Sequence, residues 1–287
     1  MSKKIFIIGR NRSGTKWLSN ILANHDEISA VQREGAGGIL EANLLRNYPK
    51  YFNLNNLEEK TAFEILFKES NFHRCSNIEG QVLKTGNYKS FNDFFESYMD
   101  ELASTRKTSF WLQKAGSLEL PALLNYFPDA KFIIIQRKNV FDNVLSSLFI
   151  NNKKEHISTL SILKNVWGYW QHSKTEKKYK CWSNVKTISY ENLKNNTNEL
   201  TKQICDYIGI GFNEDITKLS YKPNTSFKHS KKEQYYTFYN IYRTRCLSFL
   251  ISLIPLSILN FRKKKYRKGS LFQPLTFELY RNNKTKN

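Results

Sequence analysis

The chain predicts an α/β fold of three layers, helices on both faces of a central parallel sheet. Three observations carry this. A short apolar run, Ile5–Ile8, passes through a glycine loop into a helical pattern. Two later runs, Phe132–Ile135 and Val185–Ser189, have strand character. Helical patterns lie between them, and alternation of that kind builds parallel sheets covered on both faces.

The elements follow in order. Ile5–Ile8 is apolar, β-branched and aromatic, and ends at Gly9, so it reads as a buried strand. Trp17, Leu18, Ile21 and Leu22 share one face of the helix that follows the loop. Residues 40–110 read as mostly helical, with loops at Asn53–Asn56 and Ser70–Gly80. Leu118–Tyr126 reads as a helix, Phe127–Ala130 as a turn, Lys131–Gln136 as the second strand and Val140–Phe149 as a helix. Another helix carries Trp167 and Trp170; Val185–Ser189 is a third strand, and Leu200–Ile208 a helix ending near Gly209. Cys246–Phe261 holds sixteen uncharged residues broken by Pro255, too few to span a bilayer comfortably. It reads either as a buried helix pair joined at Pro255 or as an interfacial segment on anionic lipid. Residues 1–230 are expected to form one catalytic domain and 231–287 a basic extension containing the apolar segment 246–261.

The 287 residues suffice for a full core. Lys and Arg number 45 against 25 Asp and Glu, a net charge of +20. Residues 221–287 hold 15 of the cations and 2 of the acids, so the excess is concentrated there. A basic tail suits nucleic acid, anionic lipid or an acidic glycan, and charge alone does not choose. No apolar stretch is long enough for a polytopic membrane protein, and the 14% aromatic content excludes a mainly disordered chain. Cys75, Cys181, Cys205 and Cys246 form no C-x-x-C pair and read as free thiols in a reducing compartment. The start, Met1–Ile8, lacks the apolar core of a secretory signal. The expected location is the cytoplasm.

The strongest chemical signal is Gly9-Arg10-Asn11-Arg12-Ser13-Gly14-Thr15-Lys16. A phosphate needs inward backbone N–H groups with a helix N-terminus behind them. Two glycines let the backbone approach, while Arg12, Lys16 and the hydroxyls of Ser13 and Thr15 add donors. The spacing approaches that of a nucleotide P-loop, but Thr15 precedes Lys16, the reverse of the usual order. One residue along a helix turns a side chain by about 100°. The second strand ends in Gln136-Arg137, where a magnesium-binding loop protein would have an Asp. The loop therefore reads as built for a phosphate ester with no metal. Arg137, at the C-terminal end of a buried strand, is a second anchor, with Ser146 or Ser147 beside it.

Together these residues resemble the PAPS-dependent sulfotransferases (PAPS is 3′-phosphoadenosine 5′-phosphosulfate), whose fold is P-loop-like. Gly9–Leu18 is similar to the family's 5′-phosphosulfate loop, and Phe127–Ile133 running into Arg137 and Ser146 to its 3′-phosphate element. Ile188–Leu193 with Ile204–Ile210, and Trp111–Lys114, are similar to two further family segments. The resemblance spans roughly residues 5–225. It implies that Arg10, Asn11, Arg12, Ser13, Gly14, Thr15 and Lys16 hold the 5′-phosphate, with Arg12 bridging to the sulfuryl group. It implies that Trp17 stands at the adenine side, that Tyr190 lines the adenosine pocket, and that Arg137 and Ser146 grip the 3′-phosphate. Glu34, 22 residues after Arg12, is similar to the glutamate base of the carbohydrate-type branch, with Glu41 the spare and Lys114 a substrate or sulfate contact. Arg12, Lys16 and Glu34 form the expected catalytic set.

Two departures shape the reading. Arg137 and Ser146 are nine residues apart where the family has eight, and Lys138 accounts for the extra one. Lys114 is followed by Ala115-Gly116 and no His, which points away from the phenol- and steroid-sulfating branch. The expected function is transfer of the sulfuryl group from PAPS, leaving PAP, to a hydroxyl or amine of a carbohydrate or glycan precursor, with no metal. An anionic membrane surface contacted through 243–268 is an expected partner, on the inner face of the membrane; nucleic acid is not. The alternatives are a P-loop kinase or NTPase, which the Thr15-Lys16 order opposes, and a nucleic-acid binder using the basic tail with Tyr235, Tyr236, Tyr239 and Tyr242. Pro223–Phe227 and Arg267-Lys268-Gly269 are weaker echoes of cofactor-contacting segments.

Overall fold

The structure is a computed structural model that describes residues 2–33, 38–41, 52–151, 157–218 and 236–261. It shows an α/β fold with parallel strands and flanking helices, and the chain clusters into two compact units. One is built on Asp26–Gln113, the other on Lys4–His25 and Lys114–Lys264.

The second unit carries the loop. Strand β1 (Lys3–Ile8) leads through it into helix α1 (Thr15–Ala23). Ile5 to Ile8 have no solvent exposure, as expected of a strand covered on both faces. Leu18, Ile21 and Leu22 bury the inner face of α1.

In the Asp26–Gln113 unit, β2 (Ile28–Ser29) pairs in parallel with β5 (Phe110–Ala115), and β3 (Gln32–Arg33) with β4 (Gly38–Ile39) antiparallel. Helices α2 (Leu57–Lys68), α3 (Asn71–Ser76), α4 (Gln81–Thr85) and α5 (Phe91–Thr105) supply a core of edge-to-face rings, with Phe63 and Phe94 centred 5.0 Å apart and Phe67 and Tyr98 also 5.0 Å. The expected loop at Ser70–Gly80 is corrected here: α3 occupies its middle. Ser70 caps that helix by accepting from the His73 N–H, and Asn77 ends it in a left-handed conformation, so the polar run is a capped helix rather than a loop. Ser90 does the same for α5, its hydroxyl accepting from Asp93 N–H at 3.1 Å, while the Asp93 carboxylate accepts from Lys89 N–H. Ser90→Ala should cost about 1 kcal/mol, read as a lower urea midpoint at unchanged slope.

Back in the second unit, α6 (Leu120–Tyr126) starts with Pro121 in its first turn, where a missing N–H does no harm. Strands β6 (Lys131–Gln136) and β7 (Val185–Ser189) match their expected limits. β1 pairs with β6, Ile8 opposite Ile134, and β6 with β7, Ile135 opposite Ile188, all parallel. Their C-terminal ends therefore bring Gly9, Arg137 and Tyr190 to one edge, where α/β sheets take ligands. Between β6 and β7 run α7 (Val140–Asn151) and the long α8 (Thr159–Tyr179). After β7 come α9 (Tyr190–Asn195), α10 (Thr197–Ile208) and α11 (Asp215–Lys218).

The apolar C-terminal segment forms α12 (Phe238–Ser252) and α13 (Leu256–Phe261), parted at Pro255. Ile251 and Leu259 join Val144, Leu145, Leu148, Ile162 and Val166 of α7 and α8 in one core. Lys174 of α8 donates to the carbonyls of Ser252 and Ile254 at 2.7 and 2.6 Å, placing a cation at the end of α12. The inner side is thus the helix pair that Pro255 suggests. The outer side leaves Phe249, Leu250, Leu253 and Ile258 exposed. Among the described residues no helix is long and apolar enough to cross a membrane.

Candidate active site

The loop is shaped by two residues in the left-handed region, Arg12 at φ 71° and Gly14 at φ 93°. Gly14 is the N-cap of α1, and no side chain caps the helix there. The N-terminus of α1 therefore opens on the loop, the arrangement that receives anions. Gly9 and Gly14 are glycines for lack of room: a Cβ on Gly9 would lie 2.6 Å from Thr15 Cγ2 and 2.8 Å from the Ile135 carbonyl, and one on Gly14 2.5 Å from the Tyr190 ring. For Arg12 the left-handed backbone is strained, and its side chain is held by Nε donating to Ser146 Oγ at 2.9 Å.

That bond joins the two phosphate elements expected from the sequence. Ser146 is the serine that reaches the loop, whereas Ser147 Oγ is buried with no hydrogen-bond partner among the described residues. Asn143, one turn earlier on α7, donates to Ser13 Oγ at 3.1 Å and to the Asn11 carbonyl at 3.3 Å. Arg137 completes the join, donating from Nη1 to the Arg12 carbonyl at 3.4 Å. It pairs with Asp142 at 3.3 Å and lies 4.9 Å from the centre of the Tyr190 ring. Tyr190 also meets Trp17 edge-on, ring centres 6.1 Å apart. A short turn leads from the end of β6 to the start of α7. There Glu191 accepts from the Lys138 and Asn139 N–H groups at 3.0 and 3.3 Å, and the Tyr169 hydroxyl donates to the Arg137 and Lys138 carbonyls.

A pocket of about 190 Å³ opens beside the loop, lined by Arg10, Ser13, Arg137, Tyr169, His172 and Glu176 among others. Arg10 is nine-tenths buried; one end of its guanidinium donates to the Asn165 carbonyl at 2.9 Å. Burial lowers its pKa to about 10, against the pull of Tyr169 and Glu176. It is still a cation at neutral pH. Glu176, 4% exposed, accepts from Ser117 Oγ and from Gln136 Nε2 at 2.9 Å. Burial raises its pKa to about 7, although those two hydrogen bonds and Arg10 oppose the rise.

The site fits a bound polyanion. Arg10 Nη1 and Arg137 Nε are buried donors with no partner among the described residues, and both arginines line the pocket beside the loop. Of the expected residues, Arg10, Asn11, Arg12, Ser13, Gly14, Thr15, Lys16, Trp17, Arg137, Ser146 and Tyr190 fall in this one unit, as does Lys114 near the end of β5. Glu41 is exposed and belongs to the other unit, and Glu34 lies outside the described residues. Asn143, Asp142, Glu191, Tyr169 and Glu176 were not singled out from the sequence. Asn143 lies three residues before Ser146 and so on the same helix face, and Glu191 lies within the family-like segment Ile188–Leu193.

The model of the sulfotransferase family matches residues 4–214. Among solved structures, the sulfotransferase domain of the curacin biosynthetic pathway is 15% identical with a TM-score of 0.50, covering 98% of each chain. The sulfotransferase domain of the Synechococcus PCC 7002 olefin synthase is 14% identical with a TM-score of 0.51, covering 99% of this chain and 95% of its own. A mouse sulfotransferase complexed with PAP is 15% identical with a TM-score of 0.48, over 85% of this chain and 82% of its own. No curated protein matches in sequence. The two domains with TM-scores of 0.50 and 0.51 share the fold, and the family pattern runs from β1 past β7 into the helices beyond. A match of that extent covers the loop, the Arg137 turn and the strands that bring them together, and so this chain belongs to the sulfotransferase family.

Proposed function

We propose that the protein binds PAPS in this site and transfers its sulfuryl group to a hydroxyl or amine of a carbohydrate or glycan precursor. The observation that carries it is the meeting of two anion-gripping elements, Arg12 with Ser146 and Arg137 with the Arg12 carbonyl. A donor with phosphates at both ends of its ribose needs two such grips. The loop from Arg10 to Lys16 holds the 5′-phosphate, Arg137 and Ser146 hold the 3′-phosphate, and Trp17 and Tyr190 flank the adenosine. PAPS supplies an activated sulfuryl group. Arg12 and Lys16 offset the negative charge that grows on the leaving phosphate. Glu34 takes the acceptor's proton, with Glu41 in reserve. Lys114 contacts the acceptor or the sulfate. The exposed row on α12 and α13, next in sequence to Arg262-Lys263-Lys264-Lys265, supports residence on the anionic cytoplasmic face of a membrane through 243–268. Residues 1–230 then form the catalytic part and 231–287 the extension.

Calorimetric titration with PAP in the absence of magnesium tests the donor. Micromolar binding is expected, unmatched by ATP, and Arg137→Ala should weaken it about thirtyfold, the loss of roughly 2 kcal/mol of charge-assisted hydrogen bonding. Equal or better binding of magnesium–ATP would make the protein a kinase or NTPase instead. Labelled PAPS offered to glycan extracts and to simple phenols tests the acceptor; label appearing only in phenols would overturn the carbohydrate assignment.

A further inference from the structure

Tyr236 stands just before α12, far in sequence from the loop. Its hydroxyl donates to Asp142 Oδ1 at 3.0 Å, and the other oxygen of that carboxylate meets Arg137 at 3.3 Å. The three side chains form one line from the C-terminal helices to the strand-end arginine. We infer that Tyr236 is a positioning residue for nucleotide binding, setting Arg137 through Asp142 so that the guanidinium meets the donor's 3′-phosphate. This rests on the proposed role of Arg137.

The physical case is one of geometry and charge. Arg137 sits on a flexible stem, and ordering it opposes binding unless the protein has already done so. Its fixed neighbours are the Arg12 carbonyl, the Tyr190 ring and Asp142, and they leave Nε free of a partner among the described residues. Asp142 begins α7, where its backbone N–H is capped by Asn139 Oδ1 at 3.2 Å, but that leaves its carboxylate free to turn. Tyr236 fixes the plane of that carboxylate. It also draws off part of the negative charge, so that Asp142 orients Arg137 without competing fully with a phosphate. The tyrosine is anchored in turn: its ring packs against the α7–α8 core, and the next residue, Thr237, caps α12. Burial and the adjoining carboxylate raise its pKa, so it remains a donor across neutral pH.

The test uses the full chain, titrated with PAP and with AMP, which differs only by lacking the 3′-phosphate. Tyr236→Phe keeps the ring and removes the hydroxyl. It should weaken PAP about tenfold and leave AMP unchanged, so the PAP-to-AMP ratio falls by the same factor. In an Asp142→Asn background, Tyr236→Phe should have no further effect on PAP. The inference is overturned if PAP and AMP weaken together, if PAP does not weaken, or if the tenfold loss persists in the Asp142→Asn background. Wild-type protein that binds PAP no better than AMP would refute the role of Arg137 itself, a result seen before any variant is made.

Discussion

Gly14→Ala should leave the protein folded and reduce PAP binding by about two orders of magnitude. Gly14 has φ 93°, where any L-residue is strained by about 1–2 kcal/mol. Strain alone would lower stability and leave affinity nearly untouched. The larger effect comes from position, since the new Cβ would sit 2.5 Å from Tyr190 Cδ2 and 3.2 Å from Ile135 Cδ1. Ile135 is fully buried in β6 and has nowhere to go. Either Tyr190 swings away from Arg137 and Trp17, or the loop lifts off the sheet and its N–H groups lose their common focus. Each removes part of the grip on the nucleotide. Gly209 supplies the control. It has φ 88° at the end of α10, and nothing lies within 4 Å of where its Cβ would be. Gly209→Ala should cost about 1 kcal/mol of stability and leave PAP binding unchanged. Equal loss of affinity in the two variants would mean that the Gly14 effect is global destabilisation.

The parts of the fold legible in the sequence are those where local pattern and burial agree. Lys131–Gln136 and Val185–Ser189 were readable to the residue because short apolar or β-branched runs have few other uses. The loop was readable because phosphate binding needs glycines and cations at close, fixed spacing. Helix α3 was not, because Ser70, Asn71 and Asn77 look like loop residues until Ser70 and Asn77 are seen to be its two caps. The supporting side chains of the site were hidden for another reason. Tyr236 reaches Asp142 across 94 positions, and Arg10 reaches Asn165 across 155. Nothing near Tyr236 in sequence marks it off from Tyr235 or Tyr239. Only the crossover through α7 and α8, and the return of α12 onto them, gives Tyr236 its partner. Glu176 stands before two lysines in a run that reads as a solvated helix face. Yet α8 turns it inward over Ser117 and Gln136.

That inward turn makes Glu176 sensitive to pH near neutrality. Its pKa is about 7 in the fold, against 4.5 for an unperturbed glutamate, so the folded protein holds the proton more tightly than the unfolded chain. The sign follows: the contribution to stability is complete below pH 4.5 and is lost as pH rises through 7. The span amounts to about 3 kcal/mol. Glu176→Gln keeps the shape and an acceptor for Gln136 while removing the titration. Its stability should match that of the wild type below about pH 4 and exceed it by about 3 kcal/mol above pH 8, read as a difference in urea midpoints. A difference that does not change with pH would show that Glu176 is not held neutral by burial. The same proton bears on the nucleotide, because Glu176 is the carboxylate in the pocket with Arg10, Ser13 and Arg137. With Glu176 neutral, Arg10 keeps its charge and has no anion beside it to offset it. Wild-type affinity for PAP should therefore rise relative to Glu176→Gln as pH falls through 7, because both proteins share the titration of the ligand and only the wild type has that of residue 176. A pH-independent ratio of the two affinities would separate the pocket from the donor site and leave Glu176 with a purely structural part.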